Sequence, residues 1–450
     1  MSNFIRSTAA FAIALVSAVP LPAGPVDSAE LQVLRAQIRD LEIKLLALER
    51  RQEIQNERVA VTDKGFTLSS PDKANSIRLR GLAQLDSRLF LNDGGGIANN
   101  AFVLRRARLI TEGQFARNFG FQFVPEFAGS AVSILDANFT AQLAPFAQLK
   151  FGKFKAPVGL ELLQADSWTF FNERSLVTNL VPNRDLGIQL SGEVSEGRLS
   201  YAVGVFNGVA DAASTTNADF DEDKDGAGRL LARPFKNEAG SALQGLTFGV
   251  AASIGRGKTA AGRTSGYRTD GQQTFFAYHT AAIADGRSWR VSPQLDYRRG
   301  SLGVIGEYVK STVNVRPSAT GPKTELSNSA WQISAGYVLT GEDSSYHGVV
   351  PRTNFDLGAG TWGAFEVVGR YSALEIDSAA FPAFAAPGGS AETAKSFGLG
   401  LNWYLGKAAM LKIDYYRTDF GFSSLVPAGP PAPVLRQAEQ AFITRFQLAF

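Results

Sequence analysis

The string NSIRLRGLAQLDSRL, residues 75–89, decides the fold. Ile77, Leu79, Ala83, Leu85 and Leu89 lie on one parity of the numbering, and Arg78, Arg80, Gln84, Asp86 and Arg88 lie on the other. In an extended chain successive side chains point to opposite faces, so this segment is a strand with one apolar and one charged face.

The pattern recurs downstream. Trp289, Val291, Leu295 and Tyr297 alternate with Arg290, Ser292, Gln294, Asp296 and Arg298. Phe397, Leu399, Leu401, Trp403 and Leu405 alternate with Gly398, Gly400, Asn402 and Tyr404. Leu411, Ile413 and Tyr415 alternate with Lys412, Asp414 and Tyr416, and the last residues alternate up to Phe450. Read this way, the chain predicts sixteen strands: 75–91, 101–115, 119–127, 132–143, 146–154, 184–194, 198–207, 228–236, 244–255, 287–298, 301–313, 327–340, 361–376, 395–405, 409–420 and 437–450. The apolar segment 273–284 does not alternate cleanly and is assigned to a loop, because an odd count would put the termini on opposite sides.

The connections alternate too. Tight turns at Ala116-Arg117-Asn118, Ser195-Glu196-Gly197, Arg299-Gly300 and Gly406-Lys407 are interleaved with long loops near 155–183, 208–227, 256–286, 377–394 and 421–436. One longer turn, 341–360, falls on the short side. Short turns at one end and long loops at the other are the layout of an outer-membrane barrel, and only a closed sheet satisfies its backbone in lipid. The expected fold class is all-β: a sixteen-stranded antiparallel transmembrane β-barrel over 75–450, with an N-terminal periplasmic coiled-coil helix. A strand that ends on an aromatic residue, here Phe450, is what outer-membrane assembly machinery generally reads.

Upstream the period changes. Leu31, Leu34, Ile38, Leu41, Leu45 and Leu48 fall alternately three and four apart, an a/d seam that predicts a self-associating coiled coil over 30–58. The alternative is an amphipathic helix packed on its own barrel. Residues 59–74 read as a linker. Arg6, the apolar run Ala9–Val19 and the Pro20, Pro22 and Ala23 cluster read as a signal peptide over 1–23, cut near Ala23 or Ala29. A buried N-terminal helix is the alternative there.

Composition narrows the chemistry. The 450 residues carry 45 basic and 42 acidic side chains, too balanced to point to nucleic acid. There is no cysteine, and the two histidines, His279 and His347, are far apart in sequence, so neither a catalytic triad nor a metal centre is expected. No enzyme activity and no cofactor are expected. Asp221 to Gly226 resembles the start of a calcium loop, but Ala232 stands where its bidentate glutamate belongs. That run reads as a solvated acidic loop.

Several strings carry a family resemblance. In order they are Arg105-Arg106-Ala107-Arg108, Phe151-Gly152-Lys153-Phe154, Pro157-Val158-Gly159-Leu160-Glu161, Glu173-Arg174-Ser175 and Gly187-Ile188-Gln189-Leu190. Leu339-Thr340-Gly341-Glu342, Trp362-Gly363-Ala364-Phe365-Glu366, Arg370-Tyr371-Ser372 and Leu401-Asn402-Trp403-Tyr404 follow. Together, over about 75–450, they resemble the phosphate-selective porin family. The resemblance implies a homotrimer in the outer membrane of a Gram-negative-type bacterium. It implies one pore per barrel, narrowed by inward-folded loops and lined with arginines that pass small anions. It assigns Arg105 and Arg106 to that path and, loosely, Asp136 as a pore aspartate.

Alternation points Arg78, Arg80, Arg88, Arg106, Arg108, Arg290 and Arg298 inward, with Arg370, Lys412 and Arg445 on later strands. Asp86, Glu112, Asp296, Glu366 and Asp414 face the same way. Arginine suits an anion path because its planar fork matches oxyanions and stays charged, and a ring of cations concentrates anions. The alternative for each arginine is to pair with a lumen carboxylate and brace the wall. Leu162 stands where phosphate-specific members carry a lysine, and Asn314 and Ser327 fall near two more such positions. Lys153 and Lys155, or Lys310 and Lys323, are candidates to substitute, and Arg263 and Arg268, with Arg256 and Lys258, would extend an arginine track upward. The expected function is passive, anion-preferring diffusion. A general or sugar-permeable porin, to which Trp168, Phe170 and Phe171 would offer an aromatic slide, stays open, as does a non-conducting barrel that anchors the envelope.

Overall fold

Sixteen antiparallel strands close on themselves, the last pairing with the first. They are β1 (Ser76–Phe90), β2 (Ala101–Phe115), β3 (Phe119–Glu126), β4 (Ser133–Ala144), β5 (Ala147–Lys155), β6 (Arg184–Val194), β7 (Leu199–Phe206) and β8 (Asp225–Ala232). Then come β9 (Leu246–Gly257), β10 (Ile283–Arg299), β11 (Leu302–Arg316), β12 (Thr324–Val338), β13 (Ala364–Glu375), β14 (Thr393–Tyr404), β15 (Ala409–Gly421) and β16 (Glu439–Ala449). The computed structural model describes residues 28–62, 65–91, 98–217, 219, 221–257, 266–426 and 434–450, without the side chains of Ser28, Glu30 and residues 51–58. The expected signal segment 1–23 lies outside the described residues, as do Lys258 and Arg263.

The period of two sorts the side chains as the sequence implies. On β1, Leu79 and Leu85 are 40% and 51% exposed on the outer face, whereas Gln84 and Asp86 are fully buried inside. Trp331, Tyr337, Tyr371, Phe397 and Phe446 continue the exposed apolar band that faces lipid.

Three segments differ from expectation. Within the stretch read as a linker, Val59–Thr62 forms a short strand, and Gly65–Ser69 forms one that pairs with the lower part of β1, Phe66 against Leu79. It continues the edge where β16 stops at Ala449, opposite Leu82, and the Phe66 and Phe450 rings meet edge-on at 6.4 Å. The strand β8 begins at Asp225 and ends at Ala232 rather than spanning 228–236, because Pro234 has no backbone N–H to give to a ladder. The turn 233–245 is therefore a second long connection on the short side, beside 339–363. The segment 273–284 supplies only a short strand, Thr274–Phe276, paired with Tyr267–Arg268, before Ile283 enters β10.

The buried apolar cluster lies inside the barrel. Loop 156–183 folds inward, with Val158, Phe171, Val177, Leu180 and Val181 fully buried, and Phe276, Phe381 and Phe384 from two further loops pack in the same cluster as Val158, Val177, Leu180 and Val181.

The chain's other unit contains the helix α1 (Ser28–Arg58). Its Leu31, Leu34, Ile38, Leu41, Leu45 and Leu48 are all exposed, and Lys44 pairs with Asp40 at 2.7 Å across one turn. No described helix is long and apolar enough to cross a membrane.

Candidate pore and its constriction

The site begins with a β-bulge. Gln84 of β1 pairs with Arg106, but Leu85 pairs with Leu104, so Arg105 is an extra residue on β2. Strict alternation would turn Arg105 toward lipid. The bulge re-aims it, and Arg105 and Arg106 both reach Glu173 in the lumen.

Opposite this wall hangs loop 156–183, which carries the four-residue helix α2 (Leu160–Leu163). Strands β11, β14 and β15 hold it by its backbone groups. The Leu160 and Glu161 N–H groups donate to Glu307 on β11 at 2.7 and 3.1 Å, and the Asn172 N–H donates to Asp414 on β15 at 2.6 Å. Asn402 on β14 donates to the Phe170 carbonyl at 2.9 Å. Glu161 then closes the loop on itself, accepting from the Ser175 N–H and hydroxyl at 2.9 and 2.6 Å. These bonds set the loop's acidic groups against the arginines of β1 and β2.

Two loop carboxylates organise the contact. Asp166 meets Arg106 at 3.2 Å and Arg174 at 2.5 Å, and it also pairs with Arg108. Glu173 meets Arg105 at 2.6 Å, Arg445 at 2.8 Å and Arg88 at 3.4 Å. Asp86 holds the far side of Arg445 at 2.6 Å, and Glu126 holds Arg108 at 2.6 Å. Burial by itself would raise the carboxyls of Asp166 and Glu173. The arginines overcome it and hold both well below the usual carboxylate range. The cluster thus sets six guanidinium groups (Arg88, Arg105, Arg106, Arg108, Arg174 and Arg445) against four carboxylates, and stays net positive.

A cavity lies on each side of this layer. The inner one, of about 1030 Å³, is bounded by the 405–408 turn and Phe450, which places it at the short-turn, periplasmic end. Its charged lining includes Arg78, Arg80, Lys150, Lys155, Arg184 and Arg229. The outer one, of about 460 Å³, lies under the long loops and is lined by Arg105, Arg106, Arg174 and Arg268 with Ser175, Thr178 and Asn179. Leu162 lines the outer cavity and is nearly buried; no cation occupies its position.

The expected residues divide accordingly. Arg78 and Arg80 share Glu112 at 3.5 and 2.8 Å in the inner cavity. Asp136 lies there too, paired with Arg184 at 3.1 Å. Lys155 donates to the carbonyls of Leu162 and Gln164 at 2.6 and 3.2 Å, and so grips the loop from below. Arg268 lines the outer cavity, and its side chain has no ion pair among the described residues. Three expected members line neither cavity. Arg88 is drawn to Asp86 at 3.0 Å, and Lys153 is buried on Asn217 at 2.8 Å. Arg298 pairs with Asp296 at 2.9 Å and lies over the Phe170 ring. Arg290, Arg370 and Arg445 likewise brace the wall through Asp211, Asp270 and Asp86. Asn314 and Ser327 line neither cavity, and Lys323 is taken by Asp285 at 3.2 Å.

Sequence reasoning missed Lys150, Arg184, Arg229, Asp166 and Arg174. Lys150, Arg184 and Arg229 lie in segments whose sequence predicts strands, where parity can point to them. Asp166 and Arg174 lie in a loop, where no period exists to point to them. Also unforeseen is the reach of turn 339–363 into the inner cavity. There the Tyr346 hydroxyl donates to the Leu160 carbonyl at 2.6 Å, Gln164 donates to the Tyr346 carbonyl at 2.8 Å, and the His347 ring stands edge-on to Trp168 at 4.8 Å. Gly348, at φ +86°, turns the chain beneath Trp168, where a Cβ would approach the indole to 3.1 Å.

A family model described as phosphate-selective porin O and P matches residues 77–419. Among solved structures, the outer-membrane channel DcaP of Acinetobacter baumannii aligns with a TM-score of 0.54 at 11% identity, covering 85% of this chain and 99% of its own. The anion-selective porin from Comamonas acidovorans aligns at 0.53 and 12% identity, covering 84% of this chain and 100% of its own. The trimer form of OmpT, an outer-membrane protein of Vibrio cholerae, aligns at 0.51 and 11% identity, covering 84% and 100%. At such identities these structures speak to the fold alone. A search of curated proteins gave no match. The family model spans most of the barrel, and the closed sheet with its inward loop and arginine wall agrees with it: the chain belongs to the phosphate-selective porin O and P family of outer-membrane porins.

Proposed function

We propose that this porin passes small anions in preference to cations, by passive diffusion. The observation that carries this reading is the charge excess where loop 156–183 meets β1 and β2, with cations that lack carboxylate partners beside it in both cavities. A partly desolvated array of fixed guanidinium groups attracts anions and repels cations most strongly where the path is narrowest. The arginines both brace and attract, since a carboxylate shared by three of them leaves the set positive. Phosphate is a poor ligand on this reading. Dehydrating a doubly charged anion is repaid only by several charges converging on it, and Asp166 and Glu173 already occupy those charges.

The working unit is proposed to be a homotrimer, with residues 30–58 as a coiled coil and residues 1–23 as a cleaved signal. An exposed leucine seam at heptad spacing supports the first. The solved trimer form of the Vibrio cholerae protein shows that a barrel of this fold assembles so.

The test is the reversal potential of the purified protein in a planar bilayer across a potassium chloride gradient. Anion preference is expected at low salt. It should weaken as screening shortens from about 10 Å at 0.1 M to about 3 Å at 1 M. Cation preference at low salt would refute the reading.

A further inference from the structure

We infer that the inner cavity is a binding site for organic anions with an apolar body, with aryl carboxylates as the class that fits it best. The inference rests on the anion-porin reading and adds a substrate class to it.

A lumen that only conducts ions is expected to be polar. This cavity is not. Trp168 is 37% exposed and Val350 is 59% exposed, and both line it, together with Leu163, Pro157 and Tyr346. An exposed tryptophan on a lipid-facing wall needs no special account, but inside the barrel there is no lipid for it to face. Large apolar groups left in contact with water in a concave site are the usual mark of a ligand's apolar part.

The charge it would need is also present and is not spent. The Lys150 side chain has no hydrogen bond or ion pair among the described residues; its ammonium lies 5.3 Å from the Phe154 ring centre. Arg229 uses Nε on Gln294 at 2.8 Å, and its two terminal nitrogens have no partner among the described residues. The Lys155 ammonium has three protons and gives two of them to loop carbonyls. A single carboxylate can pair with one of these cations while its ring lies on Trp168 or Val350.

Size and contrast separate this class from phosphate. At about 1030 Å³ the cavity is at the upper end of small-molecule sites, too wide to surround a phosphate with donors but suited to a ring with a charged tail. The outer cavity, lined mainly by hydroxyl, amide and guanidinium groups, offers no such apolar patch. Retention is therefore expected from the periplasmic side.

The experiment measures block of the chloride current of the full chain by benzoate and by acetate, added in turn to each side of the bilayer. Benzoate on the short-turn side should block at about one tenth of the acetate concentration, the equivalent of burying roughly 55 Å² of ring at about 25 cal/mol/Å². From the loop side the two should differ less. Trp168→Ala should bring the benzoate-to-acetate ratio close to one. Val350→Ser, at an exposed position where folding is not at stake, should reduce the ratio several-fold. Equal block by benzoate and acetate in the wild type, with anion preference intact in the reversal potential, overturns this inference alone. Loss of anion preference overturns the porin reading beneath it.

Discussion

Asp166 is the residue on which the contact between loop 156–183 and the arginines of β2 turns. One buried carboxylate touches three guanidinium groups, so removing its charge acts in two ways. The local positive excess grows by one, and three arginines lose a partner. Asp166→Asn should therefore increase anion preference, read as reversal potential. It should also lower thermal stability, since breaking a buried pair costs about 3–5 kcal/mol. The Asp166 carboxyl is held well below its ordinary value, so its stabilising charge is present above the unfolded-state value of about 3.9 and is lost as pH falls through the depressed native one. Wild type and Asp166→Asn should thus differ at neutral pH and converge only in strong acid, below about pH 4. Convergence near pH 6 would contradict the geometry. Leu162 tests the opposite charge change. Chloride conductance of the wild type should persist in millimolar phosphate, and Leu162→Lys should add block. Closure of the wild type at micromolar phosphate would mean that another set of cations has rebuilt the site. These residues were not equally legible. Arg106 and Arg108 follow from parity, Arg105 needed the family resemblance because a bulge breaks parity, and Asp166 had no signal at all.

At the scale of elements, the strands read well because a period of two sustained over ten or more residues is hard to mistake. Gly65–Ser69 was missed for the same reason, since an alternation of Phe66 and Leu68 with Thr67 and Ser69 is too short to register. The fold of loop 156–183 was beyond sequence reasoning, because its position depends on acceptors far away in the chain. Glu307 is the clearest of these. It accepts two backbone N–H groups at the start of α2 and the Ser292 hydroxyl, and it is almost wholly buried. Glu307→Ala would leave two buried N–H groups without an acceptor, at about 1–3 kcal/mol each. That is enough to populate a displaced loop. The expected result is a larger and noisier single-channel conductance. Glu307→Gln, which keeps one carbonyl acceptor, should fall between Ala and wild type. A quiet, unchanged channel in the alanine variant would show that the remaining bonds to Asp414 and Asn402 suffice.

At the scale of the molecule, a net charge of +3 says little, whereas the placement of the charges says much. Alternation sends arginines and carboxylates to the lumen and leucines, phenylalanines and tryptophans to lipid, so one pattern gives both membrane insertion and the pore's field. The helix α1 is the part this pattern does not explain. Its a/d residues are exposed, and only Ile38 among them is β-branched, so a coiled coil proposed on this seam would not fix the number of helices by itself. In the proposed trimer that number is set by the barrels, with their walls supplying most of the interface. Deleting residues 30–58 should therefore weaken the trimer without abolishing it. Cross-linking in intact membranes should give a threefold ladder for the full chain, and the deleted form should reach the monomer at a lower detergent concentration or temperature. Its barrel should still assemble and conduct. A full chain that is monomeric at every detergent concentration would remove the trimer. A deleted form that fails to assemble at all would assign the helix a role in folding that its exposed seam does not suggest.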